Sequence, residues 1–403
     1  MTPILRFYDY QSNWSKSSIG DIAKVTSGGT PSRANKEYWG GDIPWVTTSQ
    51  IDFDDISNAE EFITDSGLKN SAAKLFPKGT ILLALYGQGV TRGRVSVLKI
   101  DATTNQACAA ILLNSTDNDT RFVFYYLQSK YESIRNLSNG GGQKNLSGGL
   151  IKSLPIALPI DISEQKKIAE FLTSVDTKIS QLTEKHRLFK EYKKGVMQQI
   201  FSQQIRFKDE DGNAFPEWKE YALKEILLLQ SDSLKMGDEE IYELITVKRG
   251  FGGVKSRGHF KGKDVLVKNQ FTIHENEFVI SKRQIVHGAC GLVPSELDGA
   301  IVSNEYNVFR PVEELLDIEY FNRLTTTPFM RRAFFINSDG VHIEKLLFKT
   351  QGWLKTRVHI PCLEEQQKIT SFLQAIDFKI KAIVEQIEQT KQFKKGLLQQ
   401  MFV

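Results

Sequence analysis

The chain has 403 residues, of which 40% are hydrophobic and 25% charged, and its formal net charge is +4. This composition is sufficient for two ordinary folded cores. No apolar run reaches the roughly 18 residues of a membrane span, and the polar N-terminus lacks a signal-peptide core. Without such segments we expect no membrane partner. Cys108, Cys290 and Cys362 form no CxxC pair, so we expect a reduced cytoplasmic protein without a cysteine metal site.

The first half of the chain has the elements of an α+β domain. Leu5-Arg6-Phe7 and Trp14 lead into a short predicted helix. Strand-like runs, an Asn105-Gln106 step and a further helix follow, and then comes an apolar strand that ends in proline. The predicted segments are a helix at 19–22, strands at 80–84 and 94–98, a helix at 124–127 and a strand at 156–159.

The second half repeats this order. Ile205-Arg206-Phe207 and Trp218 correspond to the opening of the first half, and Asn304-Glu305 corresponds to its Asn-Gln step. The predicted segments are a helix at 223–226, strands at 277–281 and 300–303, a helix at 321–324 and a strand at 358–361. A shared framework with unlike loops is typical of two binding modules with different targets.

One long helix-forming segment occurs twice. Residues 164–201 align with residues 365–402 without a gap, and 17 of the 38 positions are identical. A repeat with so long a period indicates a duplicated domain-plus-helix unit, and two such halves can be related by a pseudo-two-fold axis. Apolar residues step by four and three along both copies, which predicts helices of roughly 57 Å with a coiled-coil seam. The seam residues are Ile168, Leu172, Val175, Ile179, Leu182, His186 and Phe189, and then Ile369, Leu373, Ile376, Ile380, Ile383 and Ile387.

An apolar stripe of this length needs a partner. We expect the two helices to pack antiparallel as a spacer that holds two domains apart; the alternative is that each helix packs on its own domain. His186 is expected to be a buried or half-buried seam residue and not a metal ligand. Each helix also ends in a basic cluster, which is either a solvated helix end or a docking or phosphate contact. The clusters are Lys190, Lys193 and Lys194, and Lys391, Lys394 and Lys395.

Positive charge is concentrated in one part of the second half. Residues 248–283 hold nine Lys or Arg against three acidic residues. Within this part, residues 246–263 alternate basic residues with glycine, which predicts a loop suited to phosphate and base-edge contact. Many surface loops have a similar composition, so this signal is weak by itself.

Sequence signatures of catalysis are missing. There is no Walker A motif, no GxGxxG, no Asn/Asp-Pro-Pro-aromatic motif of amino-methyltransferases, and no Pro-Pro at all. Gly87-Gln-Gly89 lacks the third glycine of a cofactor loop, and we expect a simple or DNA-facing turn there. Glu164-Gln-Lys166 matches the Glu-x-Lys of nucleases, but a solvated first helical turn explains it. The histidines show no ligand spacing, so we interpret the chain as a protein without an active site.

The order and duplication of these motifs resemble the specificity subunit of type I restriction-modification enzymes. The resemblance covers essentially the whole chain and depends on repeated features of the long helix, namely the Glu164-Gln165 start, Phe171-Leu172, Asp176, Lys193-Lys194-Gly195, Gln198-Gln199 and Phe201. Supporting motifs in the first half are Gly28-Gly-Thr-Pro-Ser32, Tyr38-Trp39, Ile43-Pro-Trp-Val46 and the run from Asn105 to Ile111.

The resemblance implies two target-recognition domains, each of which recognises one half of a split double-stranded DNA sequence. The two long helices would fix the gap between the half-sites. It also implies two methyltransferase (modification) subunits that carry S-adenosylmethionine, and two restriction/translocase subunits that use ATP and Mg. The chain itself would bind no cofactor and no metal. A short N-terminal lead and a very different second domain depart from the family pattern, and they leave the DNA sequence open.

Candidate DNA contacts lie in polar and glycine-rich loops. In the first domain Gln88 can pair with adenine, while Arg92 and Arg94 can engage guanine or phosphate. The first-domain candidates are Thr47, Thr48, Ser49, Gln50, Gln88, Arg92, Arg94, Gln143 and Lys144. The second-domain candidates are Lys248, Arg249, Lys255, Arg257, His259, Lys261, Lys263, Lys282, Arg283, Gln284 and His342. For each of these residues, a solvent-exposed loop position without DNA contact is the alternative. We expect Trp39, Trp45 and Trp353 to be core or framework aromatics and not base-stacking groups.

These observations predict an α+β protein with four segments. They are a first target-recognition domain at 1–159, a central long helix at 160–205, a second target-recognition domain at 206–360 and a C-terminal long helix at 361–403. Two other functions remain as alternatives. One is a coiled-coil adaptor that recognises no DNA, and the other is an active DNA methyltransferase or nuclease.

Overall fold

The computed structural model describes residues 2–87, 90–114, 117–137, 145–340, 342 and 346–402. The chain divides into two compact units, Met1–Glu184 with Val384–Val403, and Lys185–Ile383. Each unit contains one globular α+β domain and parts of both long helices. The described residues include no helix that is long and apolar enough to cross a membrane.

The globular domain of the first unit is built on two sheets. Its elements are β1 (Ser15–Ser18), α1 (Ile19–Ile22), β2 (Ala23–Ser27), β3 (Trp39–Val46), β4 (Asp55–Ile56), β5 (Glu61–Ile63), α2 (Asp65–Lys69), β6 (Leu75–Phe76), β7 (Ile81–Ala84), β8 (Val95–Leu98), β9 (Ala102–Thr104), β10 (Cys108–Leu113), α3 (Thr120–Ser129), α4 (Tyr131–Asn136), α5 (Gly148–Lys152), β11 (Pro155–Leu158) and the long helix α6 (Ile162–Phe201). One sheet has the order β2-β10-β7-β8-β4 and the other β5-β3-β9-β6, while β1 pairs with β11.

The second unit has the same plan. Its elements are β12 (Lys219–Ala222), α7 (Leu223–Ile226), β13 (Leu227–Gln230), β14 (Ser233–Leu234), β15 (Ile241–Val247), β16 (Val254–Lys261), β17 (Gln270–Thr272), β18 (Phe278–Ser281), β19 (Cys290–Leu292), β20 (Ile301–Ser303), β21 (Tyr306–Pro311), α8 (Ile318–Thr325), α9 (Pro328–Ile336), β22 (Ser338–Asp339), β23 (Leu347–Phe348), α10 (Thr350–Trp353), β24 (Arg357–Ile360) and the long helix α11 (Leu363–Gln400). The sheets have the orders β13-β21-β18-β19 and β14-β17-β20-β15-β16, with the pairs β12-β24 and β22-β23.

Strand pairing shows that the two domains share one framework. The order β2-β10-β7-β8 corresponds to β13-β21-β18-β19. In the second sheet β3 pairs in parallel with β9, as β15 does with β20. The predicted α+β duplication is therefore confirmed. The predicted strands and the helices at 19–22 and 223–226 lie within one residue of their predicted positions, whereas the helices predicted at 124–127 and 321–324 are longer and begin at Thr120 and Ile318. The structure does not test the four segment boundaries predicted above.

Each unit pairs the start of one long helix with the end of the other. In the first unit Lys394 Nζ of α11 lies 2.6 Å from Asp176 Oδ1 of α6. In the second unit Lys193 of α6 forms an ion pair with Asp377 of α11. These contacts join the beginning of one helix to the end of the other, so the predicted antiparallel pairing is confirmed. One lysine of each basic cluster, Lys193 and Lys394, thus links the two long helices.

The helix starts also pack on their own domains, so the two packing modes expected as alternatives occur together. Ile168 and Leu172 belong to the apolar core of the first domain, and Ile369 and Leu373 belong to that of the second. His186 is half-buried, as expected.

Two buried polar residues join each helix start to its domain. Glu164 accepts hydrogen bonds from Arg6 Nε at 2.7 Å and from Trp14 Nε1 at 3.2 Å. Glu365 accepts the same bonds from Arg206 at 2.8 Å and from Trp218 at 3.2 Å. Gln165 and Gln366, the next residues, bond the backbone before α3 and α8. The expected solvated turn at Glu164 is wrong, because this residue is only 1% exposed.

Candidate nucleic-acid interface

The first candidate segment of the first unit leaves the sheet directly after β3. Residues Thr48–Gln50 form one turn of 3-10 helix. Thr47 Oγ1 lies 2.6 Å from Ser49 Oγ, and Gln50 Nε2 donates to the Asn58 carbonyl at 3.2 Å. Gln50 Oε1 is buried and has no hydrogen-bond partner within the described part of the chain. An amide oxygen in this state retains its capacity to accept a hydrogen bond.

The second candidate segment connects β7 with β8. Arg92 Nη2 donates to the Arg135 carbonyl at 2.6 Å. Arg94 pairs with Asp52, and its guanidinium lies over the Phe53 ring at 5.8 Å. Both arginines therefore contribute to the internal packing of this loop. The candidates Gln88, Gln143 and Lys144 lie outside the described residues.

In the second unit, the predicted basic loop is a β-hairpin. Strands β15 and β16 pair antiparallel with a bulge between Leu244 and Ile245, and only residues 248–253 form the turn. The expectation of a loop over 246–263 is wrong because buried Ile245, Val247 and Val254 attach the hairpin to the core. Glycine is required in the turn at Gly250 and Gly253, whose φ angles are +69° and +74°.

The hairpin separates the basic residues into groups. Lys248 and Arg249 are exposed at the turn, and Lys255, Arg257 and His259 are exposed along β16. Lys261 and Lys263 lie at the opposite end, where both bind Glu239. The two ends of β16 are seven residue steps apart, a distance of about 23 Å. The structure therefore does not bring these residues together into one compact site.

The hairpin turn contacts the connection between β18 and β19. Gly250 N donates to the His287 carbonyl at 2.7 Å, and Phe251 N donates to the Gly288 carbonyl at 2.8 Å. This connection carries Lys282, Arg283 and Gln284. Lys248 and Arg249 on the hairpin turn therefore lie on a segment that adjoins the one carrying Lys282, Arg283 and Gln284. His342 is exposed, between residues that the structure does not describe.

Side chains of the β18–β19 connection have partners within the unit. Lys282 Nζ donates to the Asn304 carbonyl at 2.5 Å, and Arg283 Nε lies 2.6 Å from Glu305 Oε2. Gln284 Oε1, like that of Gln50, is buried without a partner among the residues described. The Asn304-Glu305 step that follows β20 therefore holds this connection.

The candidate segments of the two units occupy equivalent places. The turns after β3 and after β15 each follow a strand that pairs in parallel with β9 or β20. The β7–β8 and β18–β19 connections each join neighbouring strands of the other sheet. In the first unit these segments also meet, since Phe53 N donates to the Val95 carbonyl at 2.9 Å. The same two segments therefore adjoin in each unit, with different side chains.

Within the described ranges, carboxylates are the commonest partners of the candidate cations: Asp52 binds Arg94, Glu243 lies near His259, Glu239 binds Lys261 and Lys263, and Glu305 binds Arg283. The hydrogen bond that Arg283 donates to the Glu305 carboxylate raises the pKa of the Arg283 guanidinium. Hydrogen bonds from Lys263 and Lys261 lower the pKa of the Glu239 carboxyl. DNA phosphates would therefore have to compete with internal carboxylates for these groups.

The sequence analysis did not anticipate the packing of Arg33 against Trp39. Its guanidinium lies 3.7 Å from the Trp39 ring centroid and forms two hydrogen bonds with the Glu61 carboxylate. Trp45 and Trp353 are buried, at 3% and 0% exposure, which confirms them as core residues. Trp39 is half-buried and stacks with Arg33. The sequence signal for this packing was a cation directly after the Gly28-Gly-Thr-Pro-Ser32 motif and before two tryptophans.

Among the described residues, no group of three or more His, Cys, Asp or Glu side chains could hold a metal ion.

Comparison with known proteins identifies the family. The model of the type I restriction modification DNA specificity domain matches residues 11–188 and again residues 216–391. The MjaIX specificity subunit of Methanocaldococcus jannaschii is 31% identical over 244 residues, which cover 57% of this chain and 55% of that subunit. The EcoR124I/EcoR124II specificity subunit of Escherichia coli is 27% identical over 45% of each chain. The chain thus spans about half the length of these two relatives. The MjaVIII specificity subunit of M. jannaschii is 23% identical over 96% of this chain and 91% of its own.

Solved structures show the same fold over the whole length. The S subunit of a type I restriction-modification system from M. genitalium has a TM-score of 0.57 at 17% identity, covering 100% of this chain and 99% of its own. The HsdS subunit from Thermoanaerobacter tengcongensis has a TM-score of 0.53 at 15% identity, covering 97% of both chains. Because the family model matches both halves, the chain belongs to the family of type I restriction modification DNA specificity domains and carries that domain twice.

Proposed function

We propose that the chain is the non-catalytic specificity subunit of a type I restriction-modification complex. It binds double-stranded DNA at a target of two half-sites and directs methylation and restriction by partner subunits. The observation that carries this proposal is the repeated domain, in which equivalent adjoining segments present different side chains. Thr47 and Thr48 directly follow β3, whereas Lys248 and Arg249 directly follow β15. A shared framework with unlike loops supports two separate recognition events.

Readout of bases fits the residue types in these segments. Arginine can present a planar fork to guanine, and glutamine can pair with adenine. The buried amide oxygens of Gln50 and Gln284 lack partners within the described part of each unit. They occupy the two kinds of candidate segment, one in each unit. The two amides become available to a base only if their side chains turn outward, whereas the exposed lysines are suited to phosphate.

The partners are two methyltransferase subunits, which carry S-adenosylmethionine, and two restriction/translocase subunits, which use ATP and Mg. Docking on the long helices is supported by Tyr192 and Phe393, which occupy equivalent repeat positions and are 52% and 55% exposed. Exposed aromatic side chains are enriched at protein interfaces. Tyr192 belongs to the second unit and Phe393 to the first, so each unit has one such position.

The proposal is tested by mapping methylated adenines in the host genome with and without the gene. We expect one split motif to lose methylation when the gene is deleted and to regain it on complementation. An unchanged methylation pattern would overturn the proposal. The coiled-coil adaptor predicts no salt-dependent binding to duplex DNA, and a catalytic chain predicts methyl transfer from S-adenosylmethionine by the purified chain alone.

A further inference from the structure

Lys261 and Lys263 share one carboxylate in the second unit. Lys261 Nζ lies 3.0 Å from Glu239 Oε2, and Lys263 Nζ lies 3.0 Å from Glu239 Oε1. Each carboxylate oxygen thus binds one ammonium group. A phosphate group also offers several anionic oxygens to such donors. The two lysines therefore form a two-point anion site in which a side chain of the same unit is bound.

The backbone holds Glu239 in this position. Lys263 N donates to the Asp238 carbonyl and Gly262 N donates to the Glu240 carbonyl, both at 2.9 Å, so the residues on either side of Glu239 are fixed to the lysine segment. This close approach requires glycine, because a Cβ on Gly262 would lie 2.0 Å from the Gly237 carbonyl oxygen. The ion pairs are thus part of a defined backbone arrangement.

We propose that Glu239 occupies the place that a DNA backbone phosphate takes between Lys261 and Lys263, and that it thereby weakens non-specific DNA binding. This inference rests on the function proposed above. The side chains of Glu239, Lys261 and Lys263 are 70%, 48% and 50% exposed, so water and salt screen the ion pairs. A correctly placed phosphate can displace the carboxylate at small cost. In non-specific DNA the phosphates are not aligned with the two lysines. Such a phosphate encounters Lys261, Lys263 and Glu239 together, with a net charge of +1, and not the two lysines alone, with +2.

The charge balance gives the expected size of the effect. Replacing Glu239 by glutamine raises the net charge of the group from +1 to +2. Non-specific affinity depends mainly on cation–phosphate contacts and counterion release, with a slope of about 0.9 per phosphate neutralised. The variant should therefore bind scrambled duplex about 3- to 10-fold more tightly at low salt and steepen the salt dependence by up to about one unit. Binding to the specific target should gain less, because a fitted phosphate already displaces the carboxylate.

The test uses the full chain assembled with its methyltransferase subunits. Affinity is measured for duplexes with the mapped target and with a scrambled sequence, from roughly 50 to 200 mM salt. The variants are Glu239→Gln, Glu239→Asp, which keeps the charge, and Glu220→Gln, which removes the partner of Arg357 from an exposed ion pair on β12. A melting temperature for each variant checks that folding is preserved.

We expect a lower ratio of specific to scrambled affinity for Glu239→Gln alone. Glu239→Asp and Glu220→Gln should stay within about twofold of the parent, since neither changes the charge at this site. Adding Lys261→Ala and Lys263→Ala to Glu239→Gln should abolish the gain. Equal effects of Glu239→Gln and Glu220→Gln, or a gain that survives loss of both lysines, would overturn the inference. If the parent complex itself does not distinguish the two duplexes, the proposed function fails instead.

Discussion

The carboxylate at the start of each long helix determines how that helix is attached to its domain. Glu164 and Arg6 are almost fully buried, with side chains 2% and 11% exposed. A buried charge is stable only with its partner, and removal of one member leaves the other uncompensated. The same arrangement at Glu365 and Arg206 shows that duplication preserved the attachment along with the helix.

Replacement of Glu164 by alanine should therefore destabilise the first unit by about 3 to 5 kcal/mol. The variant leaves the Arg6 guanidinium and Trp14 Nε1 without their common acceptor. Denaturant unfolding, with tryptophan fluorescence as the signal, measures the change. The control Glu170→Ala removes an exposed glutamate from the same helix and should cost less than about 0.5 kcal/mol. Equal costs for the two variants would show that the buried pair adds no stability.

Arg257 and Lys255 allow base recognition to be separated from phosphate contact. Both are exposed on β16, and Arg257 lies 6.0 Å from the Phe260 ring centroid. We expect Arg257→Ala to cost about 1 to 3 kcal/mol of binding and to relax specificity at one position. Lys255→Ala should weaken all sequences alike and reduce the salt slope by about one unit. Binding to matched and singly mismatched duplexes decides between these results; unchanged discrimination in both variants would remove β16 from the DNA face.

At the level of elements, the long helices and the landmark strands could be predicted because their signals are local and occur twice. The hairpin could not. Its buried residues Ile245, Val247 and Val254 are separated by basic residues and glycine, and a bulge breaks the alternation. Pairing of the candidate cations was also hidden, because Glu239 is 22 residues from Lys261 in sequence. Such contacts follow from strand register, which single-sequence patterns specify poorly across a bulge.

The helix pairing in the first unit predicts a measurable coupling between Lys394 and Asp176. Lys394 is 11% exposed and Asp176 is 35% exposed, so solvent weakens their attraction. We expect a coupling energy of about 1 kcal/mol in a double-mutant cycle with Lys394→Ala and Asp176→Ala. Lys395→Ala, at an exposed position of the same cluster, serves as the control and should show no coupling with Asp176→Ala. If the stability losses of Lys394→Ala and Asp176→Ala simply add in the double variant, the contact does not stabilise the helix pair.

At the scale of the whole molecule, both long helices pass from one unit to the other. The changes of unit fall between Glu184 and Lys185 in α6 and between Ile383 and Val384 in α11. Insertion of four residues at both points adds about 6 Å to each helix. If the helices fix the gap between half-sites, the mapped motif should gain one or two base pairs of spacer and keep both half-sites. A four-residue insertion after exposed Gly212 should leave the motif unchanged. A motif with its original spacer after the helix insertion would contradict the spacer role.

Exchange of one domain should replace one half-site only. Residues 227–311 leave and rejoin the framework at adjacent points, since Val312 N donates to the Ile226 carbonyl at 2.9 Å. They contain an entire apolar cluster, which includes Val279 and Val308, and all candidate residues of the second unit except His342. Residues 23–113 of the first unit are bounded in the same way, by a bond of 2.9 Å from Asn114 N to the Ile22 carbonyl. Grafting either segment from another specificity subunit preserves the buried pairs at Glu164 and Glu365, because those residues lie outside both segments.

Methylation mapping measures the result of each graft. A graft of residues 227–311 should replace one half-site, and a graft of residues 23–113 should replace the other. A change in both half-sites after a single graft would show that the two domains recognise DNA jointly.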